Sequence, residues 1–322
     1  MAKAIVTGGA GFIGCNVVME LNRRGIDDAV VVDDLNHPLK EAHLKLLRHS
    51  EYLDKRDLRP AIRAGRFDDV GAVFHLGACS STTETDEAYL ADNNTAYTRE
   101  LAEWCIAGGR RFIYASSAST YGAGENGYSD DEALIPSLKP LNLYGKSKQA
   151  FDLIALESGW FDKITGLKFF NVFGPYEDHK GPMRSVLHKA YGEIGATGRL
   201  RLFKSYKPEY PDGGQLRDFV YVKDVVAEIM WFFDNPAKNG IFNCGTGRAR
   251  SWLDLARAVF SAMGVAENIE FIEMPESLRA HYQYFTEADM SKAREAGFVR
   301  EFSTLEDAAR DYVVNYMARG LC

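Results

Sequence analysis

"AIVTGGAGFIG" (residues 4–14) decides the fold. Ala4–Thr7 reads as a short buried strand, and Gly8, Gly11 and Gly14 follow in a turn that opens a helix near Phe12. Glycines at that spacing let the backbone turn tightly and come into contact with a pyrophosphate. The first N–H groups of the helix and the positive end of its dipole face the same point. A second apolar strand, Ala29–Asp33, ends in Asp33 and Asp34. That is about twenty residues beyond the glycines, where an acid binds the hydroxyls of an adenosine ribose. Strand, glycine turn, helix, strand and acid together predict a dinucleotide-binding unit.

Outward from this unit the chain alternates. Apolar runs at Ala72–His75, Phe112–Ser116 and Gly166–Phe170 read as strands. Helix-period segments lie between them at Phe12–Arg24, "DEAYLADNNTAYTRELAEWCIAGG" (86–109) and "YGKSKQAFDLIALES" (144–158). Alternation with apolar strands predicts an α/β fold, a Rossmann-type doubly wound parallel sheet covered on both faces. After residue 172 glycine, proline and tyrosine become frequent, and strands and helices are expected to be shorter and irregular. Residues 173–322 are therefore read as a smaller C-terminal α/β lobe for substrate, closing over the carboxyl edge of a dinucleotide-binding domain at 1–172. One strand-helix pair, within about 217–243, is expected to return to the main sheet.

Composition narrows the function. The 322 residues are 46% hydrophobic and 26% charged, ordinary for a globular protein, and the net charge of −7 with no basic run argues against a nucleic-acid partner. The longest apolar stretch, 225–233, is too short to span a bilayer. Cysteines 15, 79, 105, 244 and 322 show no C-x-x-C spacing, so reduced thiols are expected, with no zinc site. With no leader-like segment before the first strand, a cytoplasmic enzyme is the expectation.

The second chemical motif joins Ser117, at the end of a strand, to Tyr144 and Lys148, four apart on one helix face. A free phenol is a poor base at neutral pH. A nearby ammonium and an oxidised nicotinamide are expected to bring its pKa towards the working range, while Ser117 holds a substrate hydroxyl in line. A third stretch, "NVFGPYEDHKGPM" (171–183), carries Lys180 between Pro175 and Pro182. No helical or strand pattern is expected to run through it. From the residues alone, Lys180 is either a solvated loop charge or a group with a chemical task.

T-G-x-x-G-x-x-G, the serine strand end and Y-x-x-x-K together resemble the extended short-chain dehydrogenase/reductase superfamily. Within it the chain is similar to the nucleotide-sugar epimerases that act at carbon 6 of an ADP-heptose for the lipopolysaccharide core. The likeness runs nearly end to end through "HLGACSSTTE" (75–84), "DNN" (92–94), "YASSASTYG" (114–122), "LNLYGKSK" (141–148), "FNVFGPYEDHKGPM" (170–183), "RDFVYVKDV" (217–225), "GIFNCGTGRA" (240–249) and "YQYFTEADM" (282–290). It implies that a hydride leaves for bound NADP, that the resulting ketone presents its other face, and that the hydride returns. It assigns one base to Tyr144 and a second to Lys180. It also implies cofactor contacts at Phe12 and Ile13, at the strand-end loop Leu76, Gly77, Ala78, Cys79 and Ser80, and at Asn93, Lys148, Val172 and Lys180. On the substrate side it implies Asn171, Pro182, His188, Phe203, Lys204, Ser205, Tyr206, Arg217 and Tyr282, with the arginine fork suited to a diphosphate. A homo-oligomer, a pentamer among relatives, is implied in the same way.

Two questions stay open at this point. Asp33 and Asp34 would repel a ribose 2′-phosphate by about 4 kcal/mol per charge pair at ~4 Å and moderate dielectric, which favours NAD. Lys40 and Lys55 match lysines that meet this phosphate in the family, which favours NADP, the choice made here. The runner-up activity is a UDP-sugar 4-epimerase, which works with one tyrosine and does not need Lys180. A 4,6-dehydratase would need an Asp-Glu pair after the strand-end serine, where this chain has Ala118, Ser119 and Thr120. A non-catalytic NADP-binding sensor would not need the tyrosine and lysine, and both are retained.

Overall fold

The computed structural model describes residues 3–279 and 282–321. The first half runs β1 (Lys3–Thr7), α1 (Phe12–Arg23), β2 (Ala29–Asp33), α2 (Pro38–Lys45), β3 (Glu51–Asp54), α3 (Lys55–Arg63), β4 (Val70–His75), α4 (Glu87–Leu90), α5 (Tyr97–Ala107), β5 (Arg111–Ser117), α6 (Leu143–Glu157) and β6 (Thr165–Phe169). The second half runs β7 (Asn171–Phe173), α7 (Val186–Thr197), β8 (Leu200–Phe203), β9 (Leu216–Arg217), β10 (Phe219–Tyr221), α8 (Val222–Asp234), β11 (Gly240–Cys244), β12 (Arg250–Ser251), α9 (Trp252–Met263), β13 (Ile269–Ile272), α10 (Glu276–Arg279), α11 (Ser291–Ala296) and α12 (Leu305–Asn315).

Seven strands form one sheet in the order β11-β6-β5-β4-β1-β2-β3, every pair parallel. Strands such as "AVVVD" in β2 are buried along their whole length, because helices cover both faces. The order reverses between β1 and β4, and the crevice at such a reversal is where these sheets bind ligands. The register brings Thr7 level with Val32 and His75, and Ser117 level with Phe169, so the carboxyl ends share one edge.

Three expectations need correction. The strand of the 217–243 segment, β10, pairs with β7 in a separate two-stranded sheet; what joins the main sheet is β11, beside β6. Between them, α8 lays Val225, Val226, Ile229, Met230 and Phe232 on the same core as α1. The second half is irregular in its strands but not in its helices. The helices α7, α8, α9 and α12 have 12, 13, 12 and 11 residues, and α7, α9 and α12 pack a core of their own with Leu187, Leu255, Val259 and Tyr312. Lys180 does lie in helical backbone, a 3₁₀ turn at Asp178–Met183 kinked at Gly181. Such a turn needs no amphipathic period, so no sequence pattern announces it.

Candidate active site

The glycine loop is built by close approach. A side chain at Gly14 would place its Cβ 2.0 Å from the carbonyl oxygen of Gly8, and Gly8 itself has φ +67° with the Gly77 backbone against it. Only glycine at both positions lets α1 start directly under the loop. Helix α1 begins without a side-chain cap and without an acid in its first turn. Its N-terminal donors and dipole therefore meet no built-in anion, which suits a pyrophosphate.

Asp33 closes this end. Its Oδ2 accepts from the Ala10 N–H at 2.9 Å, and its Oδ1 from the Asp34 N–H at 2.8 Å. The Lys40 ammonium bridges Asp33 (2.9 Å) and Asp34 (2.7 Å), and Lys55 reaches Asp34 Oδ2 at 2.9 Å. Two acids and two lysines thus balance in charge at the end of β2. Lys55 also approaches Asn93 at 3.5 Å. Asn93 stands in a π-helical turn, Ala91–Ala96, rather than in regular α-helix.

Ser117 ends β5, and Asn142 caps α6 by accepting from the Gly145 N–H at 2.8 Å, which places Tyr144 in the first turn. The phenol of Tyr144 faces the Ser117 side chain, whose hydroxyl favours the phenolate. Burial raises its pKa, and the Ser117 contact offsets this only in part. Lys148 donates to the Ala115 carbonyl at 2.7 Å. Burial pushes its pKa down to about 8, opposed by Asp152. The Lys148 ammonium thus turns to the end of β5, and burial favours the protonated phenol of Tyr144. Behind both lies a fully buried network in which Asp152 accepts from Lys168 (2.7 Å), Ser116 (2.7 Å) and Tyr114 (2.8 Å).

The Lys180 ammonium stands 5.2 Å over the Phe12 ring. Burial lowers its pKa, Glu177 opposes the shift, and the charge on Lys189 adds to it. Both Tyr144 and Lys180 line one cleft of about 800 Å³. The same cleft is lined by Gly8, Gly11–Gly14, Asp33, Asp34, Lys40, Lys55, Leu76–Ser80, Asn93, Ser117, Lys148, Asn171 and Val172.

The remaining expected substrate residues lie outside that lining. His188 pairs with Asp178 at 2.7 Å, and Pro182 precedes Met183, which does line the cleft. Arg217 and Tyr282 meet Trp252, and Phe203 packs edge-on against Tyr282 with ring centres 6.5 Å apart. The Arg217 guanidinium lies 5.5 Å over the Trp252 ring and 5.4 Å over Tyr282, and Trp252 donates to the Tyr282 hydroxyl at 2.9 Å. Arg217 makes no ion pair with Asp218; its side-chain bonds go to the carbonyls of Leu216 and Gln283. Ser205 N–H is held by Asp212 at 2.7 Å, and Lys204 and Tyr206 both reach Glu273. Sequence reasoning missed Trp252 and His179, which do line the cleft. The position of His179 beside Lys180 was its one signal, whereas Trp252 had none.

Among the described residues no His, Cys, Asp and Glu cluster could hold a metal, and no helix is long and apolar enough to cross a membrane. Cys15, Cys79, Cys105 and Cys244 are unpaired; Cys322 lies outside the described residues.

A glycine-loop cleft at the sheet's switch point, with serine, tyrosine and lysine at its far end, defines a nicotinamide-dependent sugar-nucleotide fold. The chain belongs to the NAD dependent epimerase/dehydratase family, whose description matches residues 4–245. It is 53% identical over 315 residues, 98% of each chain, to ADP-L-glycero-D-manno-heptose-6-epimerase of Nitratidesulfovibrio vulgaris. The solved structure of the Helicobacter pylori ADP-L-glycero-D-manno-heptose-6-epimerase shares the fold with TM-score 0.79 at 24% identity, covering 98% of this chain and 96% of that one. UDP-glucose 4-epimerase of Thermus thermophilus, solved with NAD, matches with TM-score 0.76 at 26% identity over 97% and 98%.

Proposed function

We propose that the protein converts ADP-D-glycero-D-manno-heptose to ADP-L-glycero-D-manno-heptose by oxidation and re-reduction at carbon 6. The observation that carries this reading is the presence of two separate base candidates, Tyr144 and Lys180, in one cleft. The bound nicotinamide supplies the acceptor and later the donor of the hydride. Epimeric hydroxyls point in different directions, so one group in one place cannot serve both. Tyr144, which faces Ser117, is assigned the proton of one epimer. Lys180, whose buried amine gives up its proton more readily than a solvated one, is assigned the proton of the other. Arg217, buried over Trp252 and without a carboxylate partner among the described residues, supports a role beside the substrate diphosphate at the cleft's rim. The same reading places the enzyme in lipopolysaccharide-core heptose supply, in the cytoplasm, as a homo-oligomer.

The test is incubation of the purified protein with ADP-D-glycero-D-manno-heptose and no added cofactor. Conversion to the L-epimer is the expected result. An untouched heptose together with interconversion of UDP-glucose and UDP-galactose would overturn the substrate assignment in favour of a 4-epimerase.

NADP is the proposed cofactor, because Lys40 and Lys55 neutralise Asp33 and Asp34 where a 2′-phosphate would arrive. Lys40→Ala with Lys55→Ala leaves two acids unopposed there. We expect NADP affinity to fall about 10–100-fold, or about 1.4–2.7 kcal/mol. NAD, with no phosphate to repel, is expected to keep its affinity. Titration of both dinucleotides decides it; an equal change for the two removes the NADP assignment.

A further inference from the structure

The turn that carries Lys180 is held at its base by a carboxylate that the proposed chemistry does not use. Glu177 is fully buried. Its oxygens accept from four uncharged donors: Ser185 N–H at 2.5 Å, Ser185 Oγ at 2.7 Å, Tyr312 hydroxyl at 3.2 Å and Gly174 N–H at 3.4 Å. Gly174 enters the turn and Ser185 leaves it, so one side chain joins both feet of the loop. Tyr312 anchors those feet to α12, in the core of the second lobe. The Glu177 carbonyl accepts from the Lys180 N–H at 3.0 Å.

Other contacts hold the tip as well: the His188 ring pairs with Asp178 at 2.7 Å, and Arg184 Nε donates to the Gly181 carbonyl at 2.8 Å. Asn16 of α1 donates to the Pro175 carbonyl at 3.1 Å, and the His179 ring meets His43 of α2 edge-on with ring centres 5.5 Å apart. The backbone between the feet is strained. Tyr176, an aromatic residue, has φ +74°, and Gly181 has φ +52°. An aromatic residue in the left-handed region persists only where its surroundings over-determine it. A buried carboxylate bonded to both feet supplies part of that constraint, beside the His43 and Tyr316 rings that meet Tyr176 edge-on, and without its bonds it would be costly to bury.

We propose that Glu177 is a positioning residue for Lys180: it fixes the 174–185 loop so that the amine stays over Phe12 in the cleft. This rests on the two-base reading. Its consequence is selective, because the Ser117–Tyr144 end hangs on β5 and α6 and has no share in the brace. Loosening the loop impairs the epimer served by Lys180 and spares the one served by Tyr144.

Glu177→Gln is the main variant, since an amide fills the space but turns an NH₂ towards donors. Tyr312→Phe, which deletes one hydroxyl outside the cleft, covers the case in which the amide does not fold. Single-turnover reduction of the nicotinamide is measured with each heptose epimer in turn, beside Lys180→Ala, which identifies the lysine-dependent epimer. A displacement of about 1 Å costs about 100-fold, and that loss is expected for Glu177→Gln with the lysine-dependent epimer alone. Equal slowing of both epimers, or of neither, overturns the proposal. Amide exchange over residues 178–184 is read on the same variants and is expected to accelerate at Lys180. Unchanged exchange also overturns it. If Lys180→Ala spares both epimers, the two-base reading fails, and the exchange measurement alone decides whether Glu177 holds the loop.

Discussion

Tyr144→Phe and Lys180→Ala are each expected to lower the epimerisation rate about 10²–10⁴-fold, the usual share of one well-placed proton transfer. Full conversion passes through both hydroxyl geometries, so losing either group stops the cycle. The two losses should differ in kind. Tyr144→Phe removes a hydroxyl that faces Ser117 and leaves a half-buried ring of nearly the same shape, so binding should hold while the rate falls. Lys180→Ala deletes an amine that stands over Phe12 and lines the cleft. Hydride transfer should then persist for the one epimer whose proton Tyr144 takes, and the ketone or reduced nicotinamide should accumulate. Rapid-mixing measurements with each epimer separate these outcomes. Full epimerisation by Lys180→Ala would return the lysine to the role of a loop charge.

The pH dependence follows from the same groups. Lys180 has a lowered pKa and Lys148 one near 8, both because burial penalises the ammonium. The amine form of Lys180 is the base, so its half-reaction should rise with pH and level off below the ordinary lysine range. Tyr144 is raised by burial in the protein alone, so its half-reaction leans on positive charge brought by the bound cofactor.

What the sequence made legible was local. Gly8, Gly14 and Asp33 act within one strand-turn-helix-strand unit, where spacing alone dictates the geometry, and each takes its expected place in the cleft. Tyr144 and Lys148 need one helix turn and a cap, both readable from "LNLYGKSK". The exchange of β10 for β11 was not readable. Both are short apolar runs, and which joins the sheet depends on partners far away in the chain, β7 for one and β6 for the other. Trp252 and His179 escaped for the same reason: an aromatic at a helix start and a histidine in a turn become cleft residues only through tertiary packing. Of the residues expected on the substrate side, Arg217 and Tyr282 meet at Trp252, where the arginine lies over indole and phenol faces, a contact that again depends on tertiary packing.

Glu228→Gln is expected to make the protein more stable than wild type at alkaline pH, with the advantage growing as pH rises from about 5 to 8. Glu228 of α8 is fully buried, and among the described residues no donor meets either of its side-chain oxygens with hydrogen-bond geometry. Burial raises its pKa to about 8; the Cys244 thiol offsets this slightly, and the charge on Asp130 adds to it. The unfolded carboxyl ionises near its ordinary value of 4.5. Between these values the folded state binds one proton more than the unfolded state. Stability is therefore full below the unfolded pKa and is lost as pH rises towards the folded one. The slope is about 1.4 kcal/mol per pH unit, so three units cost wild type about 4 kcal/mol that the amide does not lose. An amide also leaves polar atoms unpaired, so the variant begins at or below wild type at pH 5 and overtakes it as pH increases. Denaturant midpoints measured across this range test the crossing. Parallel profiles for the two proteins would mean that Glu228 gives up its proton inside the fold as easily as outside it, and that α8 carries a charge against the sheet.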